Sequence, residues 1–183
     1  MTFLEMLILA VALGLDAFSV ALGAGFVVSG LRSRIRLAWH FGLFQFAMPL
    51  IGWRMARWVS PKVGMSGRWL GAGLLLFIGT RMVWASFRTK AEETGRSGRD
   101  PTKGWMLVGL SLATSLDALG VGFGFGLLIT DLLDACLLIG LVAFVMTYLG
   151  MAMGNTLSSK VGTWAEAVGG VVLILLGFRM LLF

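Results

Sequence analysis

The chain has 183 residues, 58% of them hydrophobic and only 13% charged. Soluble domains run nearer half apolar and a quarter charged, so this excess cannot be hidden in one globular core of this size. A net charge of +6 could serve nucleic acid, but the basic residues lie between apolar blocks, where topology-setting charges belong. Nucleic acid is therefore excluded as a partner and the lipid bilayer is expected as the solvent. The single cysteine, Cys136, excludes an internal disulfide and a multi-cysteine metal site.

In chain order, six apolar spans emerge, at about 3–28, 37–57, 67–87, 104–129, 132–154 and 164–183. Each approaches the ~20 residues that cross a bilayer as helix. The first lacks a basic start and carries Asp16, so it reads as a retained span rather than a signal peptide. Polar or glycine-containing turns are expected at Ser29 to Arg36, Ser60 to Gly67 and Asn155 to Gly162. The longest connection, 88–103, holds Arg88, Lys90, Glu92, Glu93, Arg96, Arg99, Asp100 and Lys103, and reads as a mobile charged linker.

The linker divides the chain into two similar halves, 1–87 and 104–183. Leu15, Asp16, Ala17, Val20, Gly23 and Gly25 recur as Leu116, Asp117, Ala118, Val121, Gly124 and Gly126, an offset of 101 residues. Gly71, Gly79, Arg81 and Met82 recur as Gly169, Gly177, Arg179 and Met180, an offset of 98. Three spans per half is an odd number, so the second half must enter the membrane from the opposite side. The expected fold class is an all-α integral membrane protein, six transmembrane helices arranged as two inverted three-helix repeats. Nine Lys and Arg residues on the first, third and fifth connections, against four on the second, put the linker in the cytoplasm and both termini outside it.

Asp16 and Asp117 are the residues that point to chemistry. Each lies mid-span, where an ionised carboxylate is costly unless paired or solvated. Arg81 and Arg179 lie near the far ends of their spans and are expected to snorkel away. Two acids without a basic partner are neutralised by a divalent cation or by protons; the structural alternative is two protonated aspartates bonded across a helix interface. Ser19 shares a helix face with Asp16 and Thr114 with Asp117, so their hydroxyls either orient a carboxylate or bond back to their own helix. Pro49 cannot bond the carbonyl of Gln45, which sets an amide oxygen and a backbone oxygen at one depth, or marks a plain kink. Oxygen-rich sites suit magnesium, calcium and manganese. Met48 and Met146 read as packing with a weaker case for ligation, and His40 and the tryptophans as interfacial anchors. Glu166 starts the sixth span as a helix-start charge or an acidic relay. No nucleotide-binding motif or nucleophile–base pair is present, so an enzyme is not expected.

These residues resemble those of the MntP family of manganese efflux pumps. The resemblance rests on LGLDAFSVALGAG at 13–25, FGLFQFAMPLIGW at 41–53, ATSLDALGVGFGFG at 113–126 and AEAVGGVVLILLGFRML at 165–181. It implies a six-span exporter in the bacterial inner membrane with manganese as transported substrate and no resident cofactor. It implies essential roles for Asp16 and Asp117 and a role for Glu166. Some relatives carry Glu where this chain has Gln45, which lowers the negative charge of the site. Together the residues and the resemblance give a metal site of Asp16, Asp117, Gln45, Ser19, Thr114 and Glu166, with protons as coupling ion. So small a bundle leaves room for a homodimer. The competing readings are export of another cation or a small amino acid, and a membrane scaffold without transport.

Overall fold

A computed structural model describes residues 3–28, 30–63, 67–86, 100–127, 132–154 and 159–182. These form six helices: α1 (Phe3–Val27), α2 (Leu31–Val63), α3 (Gly67–Ser86), α4 (Gly104–Gly126), α5 (Leu133–Met153) and α6 (Ser159–Leu182). By length and composition α1, α4 and α5 can each cross a membrane; the apolar stretches of α3 and α6, Trp69–Trp84 and Ala167–Arg179, are shorter. Large apolar side chains are exposed along every helix, among them Leu4, Leu43, Phe77, Leu116, Leu141 and Leu175. A water-facing monomer does not tolerate so continuous an apolar surface. Hydrocarbon does, and a helix satisfies its own backbone there.

Two helices depart from the expected boundaries. Arg32, Arg34 and Arg36 belong to the first turns of α2 rather than to a turn. Gly30, at φ +135°, reverses the chain after α1, and its carbonyl accepts the Arg34 amide at 3.1 Å to open α2. A positive φ there favours glycine. At its other end α2 continues through Ser60, Pro61 and Lys62 to Val63, so these residues are helical as well. α6 likewise begins at Ser159, inside the turn expected at 155–162.

The packing interleaves the two halves. α1 packs against α5 and α6, α2 against α4 and α5, and α3 against α6 and α4. Glycines fix the registers. An added Cβ at Gly42 would lie 3.0 Å from the Gly140 carbonyl, and one at Gly140 2.9 Å from the Gly42 carbonyl, where α2 and α5 cross antiparallel. Gly150 meets the Phe18 carbonyl and Gly154 meets Gly25, so α1 and α5 run parallel. Gly122 meets Pro49 and Gly126 meets Ala56, so α2 and α4 run parallel too. Gly79 packs on Gly170 and Gly177 on Ala72 along an antiparallel α3–α6 pair. Such small residues bring backbones close where lipid offers no hydrophobic drive. The larger buried cluster joins Leu9 and Leu13 of α1 to Leu75 and Ile78 of α3, Val121 and Phe125 of α4, and Leu173 of α6.

Candidate cation site

Asp16 on α1 is 8% exposed, and the Asp117 side chain on α4 is 14% exposed. The registers on α5 and α2 set each about one turn, on the order of 6 Å, from the Gly42–Gly140 crossing, on opposite sides of it. Among the described residues no three His, Cys, Asp or Glu side chains gather closely enough to hold a metal ion by themselves. Other oxygens must therefore complete any coordination shell.

The expectation that no basic residue shares the depth of the aspartates is corrected. Arg81 on α3 is ion-paired through Nη1 to Asp117 Oδ1. Arg179 on α6, its repeat counterpart, is paired with Glu5 in the first turn of α1. Position along a helix predicts depth only if every helix is centred alike. α3 is placed so that Arg81 reaches the middle of α4.

Gln45 is 1% exposed. Its Nε2 donates to the Thr114 carbonyl at 3.5 Å, while its Oε1 has no hydrogen-bond partner among the described residues. A buried oxygen without a donor costs about 1–3 kcal/mol, so it calls for an occupant. The Gln45 side chain reaches α4 through Nε2 at Thr114, three residues before Asp117. The Thr114 hydroxyl donates to the carbonyls of Leu110 and Ser111 at 3.0 and 3.1 Å, which is back-bonding to its own helix. Ser19 lies half-buried on α1, and Glu166 lies in α6 with its side chain outside the described residues.

Sequence reasoning missed Thr147. Its hydroxyl is fully buried on α5 and is also without a partner among the described residues. It is the repeat counterpart of Pro49, so the internal alignment could have singled it out. Met146 packs over Gly14 and Met48 on the main core cluster, which makes both packing residues. His40 turns its Nδ1 to the Arg36 carbonyl at 2.8 Å, and Trp39, Trp58, Trp69 and Trp84 are exposed as anchors should be. A groove of about 260 Å³ outside the α2–α5 crossing, walled by Phe46, Phe144, Leu43 and Leu141, offers a cation no side-chain oxygen.

The end of the charged linker is ordered. Residues 88–99 lie outside the described part, but Thr102 is buried, its hydroxyl accepting from Arg36 at 2.6 Å and donating to Asp100 at 2.6 Å. Lys103 pairs with Asp100 at 3.1 Å. Burial pushes the Asp100 carboxyl up, but the Thr102 hydroxyl and amide together with Lys103 outweigh it and hold its pKa below 3.8. Two of the four residues ahead of α4, Asp100 and Thr102, thus tie it to Arg36 near the start of α2.

Apolar membrane-length helices, an apolar exterior and buried charge in the bundle define a polytopic α-helical membrane protein. A family profile described as "Putative manganese efflux pump" matches residues 28–181, and the chain belongs to this family, MntP. It is 45% identical over 183 residues, the whole of both chains, to the "Putative manganese efflux pump MntP" of Syntrophobacter fumaroxidans. The namesake of Maridesulfovibrio salexigens is 41% identical over 186 residues, again the whole of both. That of Geobacter sp. is 44% identical over all of this chain and 97% of its own length. No solved structure matches the chain.

Proposed function

We propose that this chain exports manganese(II) across the bacterial inner membrane in exchange for protons, along an oxygen-lined path built on Asp16 and Asp117. The observation that carries the reading is the buried Gln45 Oε1, without a partner among the described residues, on a side chain that bonds α4 three residues before Asp117. A carboxylate and a neutral amide oxygen suit a hard or borderline divalent cation. A carboxylate takes either a metal ion or a proton, so the two compete for the same oxygens, which is the chemistry antiport needs. Ser19 and Glu166 are further oxygens for the path, and Thr114 contributes its carbonyl environment rather than its hydroxyl proton.

The path runs through six spans in two inverted repeats. Several contacts support this. Under the offsets of 101 and 98, Gly25–Gly154 becomes Gly126–Ala56, Phe18–Gly150 becomes Leu119–Gly52, and Gly79–Gly170 becomes Gly177–Ala72; all six contacts occur. Gly42 and Gly140 are each other's counterpart and touch. The parallel and antiparallel senses of every pair agree with six helices crossing alternately. The N-termini of α1, α3 and α5 then mark the periplasmic end, and the arginine-rich start of α2 the cytoplasmic one.

The test is elemental analysis of cells loaded with manganese, magnesium, iron or cobalt and expressing wild type, Asp16→Asn or Asp117→Asn. Wild type is expected to lower manganese several-fold and both variants to retain it. Variants that reach the membrane and export like wild type would remove the aspartates from the path. A wild type that lowers no metal would leave a scaffold.

A further inference from the structure

The glycine contacts of the two halves correspond within the frame and within the α3–α6 pair, but not at one pair of seams between them. In the second half α4 meets α3 through Gly124 on the Gly71 carbonyl and through the Asp117–Arg81 ion pair. The counterparts in the first half would be Gly23 on Gly169 and Asp16 with Arg179. Among the described residues Gly23 does not meet Gly169, and the ion pair seen for Arg179 is with another acid. Gly169 instead meets the Ala12 carbonyl, and Arg179 pairs with Glu5. Ala12 lies eleven residues before Gly23, and Glu5 lies eleven before Asp16. Two unrelated contacts therefore report one displacement of three helical turns, about 16 Å. Beside Gly23, where Gly169 would lie, an added Cβ meets nothing within 4 Å. α2 runs on as helix to Val63, eight residues beyond Met55, whereas α5 stops at Met153, the counterpart of Met55.

We propose that α3 and α6 form one sliding element on a fixed frame of α1, α2, α4 and α5, and that Arg81 and Arg179 are its exchangeable counter-ions, Arg81 covering Asp117 in this state and Arg179 covering Asp16 in the opposite one. The pair and the frame each keep their internal symmetry; only the interface between them is offset, which is what a rigid slide produces. The state described has the pair displaced toward the end that carries Glu5. In the opposite state Arg81 leaves Asp117 and reaches the level of Met106, which offers it no charge, while Asp117 is released. Each arginine is thus a tethered cation that competes with the cargo for one carboxylate. In this the inference rests on the exporter reading; the slide itself does not.

Disulfide trapping tests both parts, in a Cys136→Ser background in native membranes. Ile78→Cys with Gly120→Cys reports the state described, since Gly120 packs on Ile78. Val172→Cys with Gly23→Cys reports the opposite state, in which the two meet; Gly71→Cys with Ala113→Cys repeats that report on the other seam. Both registers are expected to cross-link, in a ratio that manganese shifts. Glu5→Gln and Arg81→Gln each remove a contact made in this state alone and are expected to move the ratio about threefold toward the 23–172 pair. If the 78–120 pair closes while neither opposite pair does, at any metal level or pH, the slide is wrong even if cells still export manganese. If both registers trap but manganese leaves the ratio unchanged, the slide stands and manganese loses its place as cargo. A ratio that ignores both Glu5→Gln and Arg81→Gln would overturn the counter-ion role.

Discussion

The frame of α1, α2, α4 and α5 and the α3–α6 pair are built from the same repeated sequence, yet they use it differently. In the frame, backbones touch through Gly52, Gly122, Gly150 and Gly154, and both halves hold one register. Between frame and pair, the same motifs meet in two registers three turns apart. The shared motifs LDA and GxRM occur on both sides and do not decide between these registers; Glu5, whose counterpart is Met106, favours the one described. The difference belongs to the state of the assembly. Both kinds of seam use glycine on backbone, but only those between frame and pair also carry long arginine side chains, Arg81 and Arg179.

Substitutions can break this contrast. The largest effect is expected in the frame. An added Cβ at Gly52 or Gly122 would lie 2.1 Å from a backbone oxygen, of Leu119 or Pro49. Gly52→Ala and Gly122→Ala should each destabilise by about 1–3 kcal/mol in detergent thermal unfolding. Gly23→Ala, with open space, should be neutral or gain up to about 1 kcal/mol from helix propensity. Equal losses at all three positions would erase the distinction between fixed frame and mobile seam.

Gln45→Leu sharpens the comparison at the site. Removing a buried oxygen that no donor satisfies should raise the stability of the metal-free protein by about 1 kcal/mol. The same change should cut manganese export several-fold. A stabilised variant with full export would make Gln45 a packing residue.

The smallest effect is expected at the clasp of Asp100, Thr102 and Arg36. Because the folded Asp100 carboxyl lies below 3.8, its contribution is present above the unfolded carboxylate value and lost as pH falls through the lower folded one. Asp100→Asn should cost within about 1 kcal/mol at pH 7, and the gap to wild type should close as acid takes the pH below the usual carboxylate range, near 4. Thermal unfolding across that range reads it directly. A gap that persists in acid would assign the clasp to packing of Thr102.

Much of this was legible in the sequence. Asp16 and Asp117 stood out because charge inside an apolar run has few structural uses, and the six helices followed from the apolar blocks. The ends of α2 were not legible. Arg32, Arg34 and Arg36 declare where the hydrocarbon stops, not where the helix does, since a solvated arginine is as content in a helix as in a loop. Ser60, Pro61 and Lys62 fall in an expected turn, yet at the tail of a long helix the amide bond lost at Pro61 does not end it. Arg81 was misplaced for a deeper reason. Sequence gives the height of a residue on its own helix, and the partner of Asp117 depends on how far α3 is shifted against α4. Orphaned oxygens such as Thr147 Oγ1 emerge only when all neighbours are in place.

Arg81 and Arg179 both ride on the α3–α6 pair, and this makes the carrier sensitive to voltage. Two positive charges moved about 16 Å through a hydrocarbon core about 30 Å thick amount to roughly one elementary charge across the whole membrane field. That is worth about 2 kcal/mol for each 100 mV. In the proposed orientation, with the start of α1 outside, a potential negative inside pulls the pair away from the state described here.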